Sequence, residues 1–127
     1  MIYLDTSVVL AYLLAEDRVP PPTLWDERLV SSRLLEYEAR TLIHRRGLTD
    51  SHGAALESTL QRIAFLELVA PVLEGIGGRV PPSVRTLDAL HLASLLFLKD
   101  QGVRLQLATY DRRMEEGARA MGIRGFL

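Results

Sequence analysis

The sequence contains no cysteine and only three histidines, and these two shortages exclude several kinds of functional site. Without cysteine the chain can form no disulfide framework, no thiolate zinc site and no cysteine nucleophile. The three histidines, His44, His52 and His91, do not have the spacing of a zinc-binding motif. The absence of cysteine also fits a reducing compartment, so we expect a cytoplasmic location.

The sequence also lacks an uninterrupted apolar run of the roughly 20 residues that a membrane-spanning helix needs. Its longest apolar segment, LDALHLASLLFL, is interrupted by Asp88, His91 and Ser94 and is typical of a buried helix. The first residues, MIYLD, contain no basic segment. We therefore expect neither a signal peptide nor a membrane as a partner.

Neither sign of charge is in excess, because 15 lysines and arginines face 16 aspartates and glutamates for a net charge of −1. A basic surface that covers the whole protein is thereby excluded. Any binding to nucleic acid must use a local cluster of basic side chains.

The length and composition predict one domain that spans residues 1–127, because 127 residues with 48% hydrophobic side chains can bury a core. Short apolar segments predict strands at 2–5, 29–32, 67–71, 103–109 and 123–127. Helical periodicity and capping residues predict helices at 6–15, 33–47, 50–66, 86–102 and 111–122. Short strands that alternate with helices predict an α/β fold with a parallel sheet covered on both faces.

Two aspartates directly follow predicted strands and open predicted helices. They are Asp5 in MIYLDTSVVLAYLL and Asp111 in VRLQLATYDRRM. Each alone is explained as a helix N-cap, since its carboxylate accepts a bond from the first free backbone N–H groups. Ligands of open α/β sheets bind beyond the carboxyl ends of the strands. Neighbouring strands would bring the two carboxylates together at that edge.

Two further acids lie on the apolar faces of predicted helices. Glu38 shares a helix face with Leu34 and Leu35, and Asp88 lies in the first turn of the most hydrophobic helix. A charge on an apolar face is costly unless it is paired or binds a metal. Two alternatives remain open: Glu38 pairs with a buried arginine, and Asp88 interacts with the helix dipole.

Glu36 is different from Glu38. Arg33 at i−3 and Arg40 at i+4 make Glu36 a solvated partner of salt bridges. The inward-facing acid of this helix is therefore Glu38.

The four inward-facing acids together predict a site for a divalent cation. Carboxylates within several ångströms of one another do not all ionise in a low dielectric, and a bound cation removes this conflict. Magnesium prefers oxygen ligands and often bridges carboxylates to a phosphate. It activates water and stabilises the oxygens of a phosphoryl displacement. The predicted ligands are Asp5, Glu38, Asp88 and Asp111.

Four segments resemble, in order and spacing, the signature blocks of PIN-domain proteins, and the closest branch is the VapC-type toxins of toxin–antitoxin modules. The segments are YLDTSVVLAYLL, SSRLLEYEA, RTLDALHLASLL and LATYDRRMEEGARAMGI. The resemblance covers nearly the whole chain. Its most specific part is LDALHLAS followed by TYDRR.

This resemblance implies a three-layer α/β/α sandwich with a mainly parallel central sheet of short strands. It also implies a Mg²⁺- or Mn²⁺-dependent endoribonuclease. The catalytic acids carried over by motif are Asp5, Glu38, Asp88 and Asp111. The hydroxyl of Thr6 would orient Asp5, and that of Thr109 would support the site.

The resemblance further implies three partners. They are an RNA substrate, a small antitoxin that inserts a segment into the acidic groove, and a second copy of the chain in a homodimer. Such toxins often carry a helical hairpin where this chain has the shorter segment EDRVPPPTLWDER.

Contacts with RNA phosphates are predicted for arginines that flank the acids in the sequence, since phosphate contacts supply most of the affinity for RNA. These arginines are Arg85, Arg112 and Arg113, with Arg40, Arg45 and Arg46 as further candidates. His91 is predicted to be a core histidine and not a catalytic base, and Ser7 to be a capping hydroxyl.

Three alternative functions remain at this stage. The first is a PIN-like module that binds RNA or a protein without cutting it. The second, a receiver-type signalling domain, needs an acidic pair after its first strand and a lysine near its end, whereas the sole lysine here is Lys99 in a helix tail. The third, an aspartyl-phosphate phosphatase, needs two aspartates separated by one residue, whereas the chain has Asp5, Thr6 and Ser7.

Overall fold

Short strands and helices alternate along the chain in the computed structural model, which describes residues 1–127. The strands are β1 (Ile2–Leu4), β2 (Leu29–Ser32), β3 (Ile63–Leu66), β4 (Gln106–Ala108) and β5 (Arg124–Gly125). The α-helices are α1 (Thr6–Leu13), α2 (Arg33–Arg45), α3 (Thr49–Leu60), α4 (Ala70–Leu73), α5 (Thr86–Asp100) and α6 (Arg112–Ala120). Two short 3₁₀ helices span Pro22–Asp26 and Glu74–Gly77.

The five strands form one parallel sheet in the order β3-β2-β1-β4-β5. β1 lies at its centre and pairs directly with β4, with Leu4 opposite Ala108. The backbone N–H of Asp5 donates to the carbonyl of Ala108 at 2.9 Å. The chain segments that follow β1 and β4 therefore leave the sheet side by side at its carboxyl edge, as predicted.

Alternation along β1 divides the core into two halves. Ile2 and Leu4 pack with buried residues of α1, α2 and α3, whereas Tyr3 packs on the opposite face with buried residues of α5 and α6. Helices thus cover both faces of the sheet. The predicted three-layer α/β/α sandwich is confirmed.

The third strand lies earlier in the chain than predicted, and two predicted elements are wrong as a result. The helix predicted over 50–66 ends at Leu60, and its last residues, IAFL, form β3. The strand predicted at 67–71 is absent, because Pro71 has no N–H for a sheet but fits the first turn of α4. The β-branched and aromatic residues of IAFL favour a strand.

The helix α2 ends at Arg45, two residues before the predicted end at 47. Gly47 has a φ of +67°, the left-handed conformation that glycine adopts without strain.

The helix α1 is shorter than the predicted 6–15 and ends at Leu13. The longest helix, α5, is largely buried, and no helix in the structure is long and apolar enough to cross a membrane.

Candidate active site

A single cleft of about 680 Å³ at the carboxyl edge of the sheet is lined by all four predicted acids. They come from four places: the ends of β1 and β4, the second turn of α2 and the first turn of α5. The acidic side chains that share this cleft are Asp5, Glu38, Asp88 and Asp111. The fold therefore brings together carboxylates that are far apart in the sequence.

Asp5 is the most buried of these acids, with 5% of its surface exposed, and it is held through one oxygen. Its Oδ2 accepts hydrogen bonds from Ser7 Oγ at 2.6 Å and from Thr109 Oγ1 at 2.8 Å, and a longer one from the Ser7 N–H. Asp5 thereby caps α1. Its Oδ1 accepts no hydrogen bond and remains free for a ligand.

Asp111 combines a structural role with its place in the cleft. Its Oδ1 accepts bonds from the backbone N–H groups of Arg113 and Met114, at 2.9 and 3.1 Å, and so caps α6. Its own N–H donates to Thr109 Oγ1 at 2.9 Å. Thr109, predicted to support the site, therefore bonds to both Asp5 and Asp111. Oδ2 of Asp111 has no protein partner.

The two roles of Asp111 are separable by substitution, because asparagine caps a helix about as well as aspartate. We expect Asp111→Asn to keep the stability of α6, whereas Asp111→Ala loses about 1 kcal/mol, or about 3–5 °C in Tm. Both variants remove the same charge, so the difference in Tm between them isolates the cap. Equal Tm values, measured by differential scanning calorimetry, would show that the cap contributes nothing.

Glu38 also uses one oxygen for the protein and leaves the other free. Its Oε1 accepts hydrogen bonds from Thr6 Oγ1 and from His91 Nε2, both at 2.8 Å. The predicted role of Thr6 is therefore corrected, because its hydroxyl holds Glu38 and not Asp5. Ser7, predicted to be a capping hydroxyl, instead orients Asp5 together with Thr109.

Asp88 has neither a hydrogen bond nor an ion pair to fix its carboxylate, unlike the other three acids. Burial raises its pKa above the ordinary aspartate value, and the negative charges of Asp111 and Asp5 raise it further. A bound cation would remove the conflict between this carboxylate and its negative neighbours. The alternative in which Asp88 serves only the helix dipole does not account for its place in the cleft.

The donor set of the cleft fits a hard divalent cation, since it consists of carboxylate oxygens with no thiolate. No group of three carboxylate or imidazole side chains is arranged to hold a metal ion unaided. Mg²⁺ suits such a site because it keeps several waters and uses only one or two carboxylates directly. The free oxygens of Asp5, Glu38, Asp88 and Asp111 are the atoms available to it.

Glu36 lies outside the cleft, as the sequence indicates. It pairs with Arg33 at 3.1 Å and with Arg40 at 3.0 Å. Arg40 also bonds to Glu57 of α3. This network fixes the outer face of α2, so the choice of Glu38 over Glu36 agrees with the structure.

The arginines of the cleft differ from those favoured in the sequence. Arg45 and Arg46, near the end of α2, line the cleft. The three flanking arginines do not line it and are exposed elsewhere; they are Arg85, Arg112 and Arg113. Proximity in the sequence does not place these arginines in the cleft, because side chains that follow a cap residue on a new helix can point away from the cap.

Comparison with known proteins agrees with this architecture. The family model described as PIN domain matches residues 2–120. Ribonuclease VapC46 of Mycobacterium tuberculosis (strain ATCC 25618 / H37Rv) is 34% identical over 129 residues, which cover 96% of this chain and 93% of the relative. Ribonuclease VapC35 of the same strain is 29% identical over 128 residues, 97% of this chain and 93% of the relative.

The chain therefore belongs to the PIN domain family. A third relative, ribonuclease VapC47 of strain CDC 1551 / Oshkosh, is 30% identical over 132 residues, 96% of this chain and 93% of its own. Similarity over nearly the whole chain to three ribonucleases named VapC shows that the chain is a VapC-type PIN protein. The resemblance found in the sequence is thereby confirmed.

Proposed function

We propose that this protein is an endoribonuclease that hydrolyses RNA phosphodiester bonds with Mg²⁺ or Mn²⁺, and that it is the toxin of a type II toxin–antitoxin pair. The observation that carries the proposal is the cleft in which four carboxylates from separate elements converge. The ribonuclease names of its relatives support the choice of RNA as substrate.

The mechanism follows from what each acid can contribute. A divalent cation in this cleft would lower the pKa of a water and offset the charge that develops at the phosphorus. Asp5 and Asp111 would hold it, and Glu38 and Asp88 would complete its surroundings, partly through water. The hydroxyls of Ser7 and Thr109 keep Asp5 in one orientation, so a free carboxylate oxygen is available before substrate arrives.

RNA would be held along the wall of the cleft that α2 forms. Arg45 and Arg46 line this wall and supply positive charge for phosphates. Tyr37 is 72% exposed and also lines the cleft, so its ring is available to stack on an unpaired base. In this proposal Arg85, Arg112 and Arg113 contact RNA beyond the cleft.

The proposed antitoxin would occupy the same cleft. Its lining combines the acids with apolar side chains, among them Leu10, Leu34, Leu42 and Leu87. A segment that carries both basic and apolar side chains fits such a surface.

We also propose a homodimer in the cytoplasm, and sedimentation equilibrium tests the dimer directly.

Cation binding is the first test of this proposal. We expect Mn²⁺ or Mg²⁺ to raise the Tm of the metal-free protein, because a ligand that binds only the folded state adds about 2.7 kcal/mol at a hundredfold excess over its Kd. Addition of the same cations to the protein mixed with a total RNA pool should start cleavage of the RNA. Asp5→Asn should lose both effects, and Asp17→Asn, an exposed aspartate outside the cleft, should lose neither.

The outcomes separate the competing functions. Cation binding without cleavage of any RNA would support the module that binds without cutting. A Tm that does not change with either cation would refute the metal site.

A further inference from the structure

His91 is a buried histidine that contacts the acidic cleft from inside the core. Only 1% of its surface is exposed, and it lies on α5 one turn after Asp88. Its Nε2 is 2.8 Å from Glu38 Oε1 and 3.3 Å from Thr6 Oγ1. Its Nδ1 is 2.9 Å from the hydroxyl of Tyr3. Any buried imidazole needs a polar partner at each nitrogen, but here one of those partners is an acid of the cleft.

One tautomer satisfies all of these contacts. Glu38 Oε1 is an acceptor, so His91 Nε2 carries the proton and donates it. His91 Nδ1 is then an acceptor and receives the hydroxyl proton of Tyr3. That hydroxyl in turn accepts the backbone N–H of Ser32 at 3.1 Å. The hydrogen bonds run in one direction from Ser32 through Tyr3 and His91 to Glu38.

This chain of bonds begins and ends on the same helix. Ser32 is the N-cap of α2, and Glu38 projects from the second turn of α2. Tyr3 comes from the central strand β1, and its ring packs against the His91 ring in a T-shaped arrangement, with 84° between the ring planes and 5.9 Å between the centroids. The start of α2 and its glutamate are therefore held against the central strand β1 and the helix α5.

Glu38 needs such a partner more than Asp5 and Asp111 do. Asp5 and Asp111 are short side chains held by backbone N–H groups at helix caps. Glutamate has more rotatable bonds and loses more conformational entropy when it is fixed. Both donors to Glu38, Thr6 and His91, bond to Oε1, so Oε2 is the oxygen left free.

We propose that His91 is a positioning residue that fixes the Glu38 carboxylate so that Oε2 is presented to the cation. This inference rests on the proposed metal-dependent function and adds a specific atom and a specific donor to it. The two nitrogens of His91 have different tasks: Nε2 holds Glu38, and Nδ1 holds the ring in place through Tyr3.

Two amide substitutions separate these tasks. The side-chain nitrogen of glutamine corresponds to Nε2, so His91→Gln retains a donor for Glu38. The amide of asparagine reaches only the position of Nδ1, so His91→Asn retains a partner for Tyr3 and loses the bond to Glu38. We expect His91→Asn to weaken Mn²⁺ binding about tenfold or more, as loss of a partner that orients a ligand does. We expect His91→Gln to bind Mn²⁺ close to the wild-type affinity.

The measurement is a calorimetric Mn²⁺ titration of each metal-free protein without RNA, with the Tm of each recorded alongside. Wild-type affinity in His91→Asn would overturn the inference while leaving the proposed function intact. Equal weakening in both variants, in proportion to their loss of Tm, would overturn it in favour of simple core packing. A wild-type protein that binds no Mn²⁺ would refute the proposed function, and this inference with it.

A second measurement uses the wild-type protein, so it does not depend on whether a variant folds. The ¹⁵N chemical shifts of the imidazole nitrogens in the wild-type protein report which nitrogen carries the proton. We expect the Nε2–H tautomer for the buried histidine. An Nδ1–H tautomer would place an acceptor against Glu38 and overturn the inference.

Discussion

Replacement of Asp88 by asparagine is expected to slow RNA cleavage strongly and at the same time to raise the Tm of the metal-free protein. The loss of activity follows from its place in the cleft, since a cation contributes several kcal/mol of stabilisation and each 1.36 kcal/mol is tenfold in rate. We expect cleavage to fall by about 1,000-fold. The gain in stability follows from the removal of a carboxylate that lies unpaired among Asp5, Glu38 and Asp111.

The stability effect of Asp88 has a defined pH dependence. Burial and neighbouring carboxylates raise its pKa in the folded protein, so ionisation of Asp88 opposes folding. Below the ordinary aspartate pKa the group is protonated in both states and contributes nothing. As pH rises through the elevated pKa, the wild type loses stability that Asp88→Asn keeps. The difference in Tm between the two, measured without divalent cations, should widen from pH 4 to pH 7.

Asp17→Asn is the matched control for this experiment. It makes the same chemical change at an exposed aspartate outside the cleft, so neither cleavage nor the pH profile of Tm should change. If Asp88→Asn still cleaved RNA at the wild-type rate, Asp88 would not belong to the reaction. If its Tm fell at neutral pH, its carboxylate would be a favourable partner of the α5 dipole and not a member of a repulsive cluster.

The acids were predictable because each obeys a local rule that the sequence displays. Asp5 and Asp111 follow apolar strands and cap helices, and parallel strands have their carboxyl ends at one edge. Glu38 and Asp88 stand out as charges on apolar helix faces. Pairing of β1 with β4 brings Asp5 and Asp111 together, and the helices α2 and α5 bring Glu38 and Asp88 to the same cleft.

The partners of these acids were harder to predict, because they depend on which hydroxyl reaches which oxygen. Thr6 and Ser7 are adjacent in the sequence, yet Thr6 bonds to Glu38 and Ser7 to Asp5. Helix geometry points consecutive side chains about 100° apart, so the two hydroxyls serve different acids. The i, i+3 relation of Asp88 and His91 was the available signal that this histidine faces the site.

The third strand was mispredicted for a different reason. IAFL follows a helix without an intervening glycine or proline, so its apolar residues extend the helical pattern of α3. Its place in the sheet is decided by pairing with β2, where four residues of each strand are in register. Such a tertiary contact is invisible to a local pattern.

The second large effect concerns the two arginines that line the cleft. We expect Arg45→Ala/Arg46→Ala to weaken RNA binding at least tenfold, because both side chains line the cleft. Loss of two phosphate contacts should also reduce the slope of log K against log salt by about 1.4 for a single strand. Fluorescence anisotropy with a labelled RNA, in metal-free buffer that prevents cleavage, measures both quantities.

Two double variants with the same change in net charge show whether position matters. Arg104→Ala/Arg124→Ala removes two arginines that line a separate pocket by the amino ends of β4 and β5, so RNA affinity and salt slope should stay near the wild type. Arg112→Ala/Arg113→Ala removes the two arginines that flank Asp111 in the sequence. If that pair reduced binding more than Arg45→Ala/Arg46→Ala did, RNA would run along α6, and the wall formed by α2 would not be its path. Equal losses in all three variants would mean that only overall charge attracts the RNA.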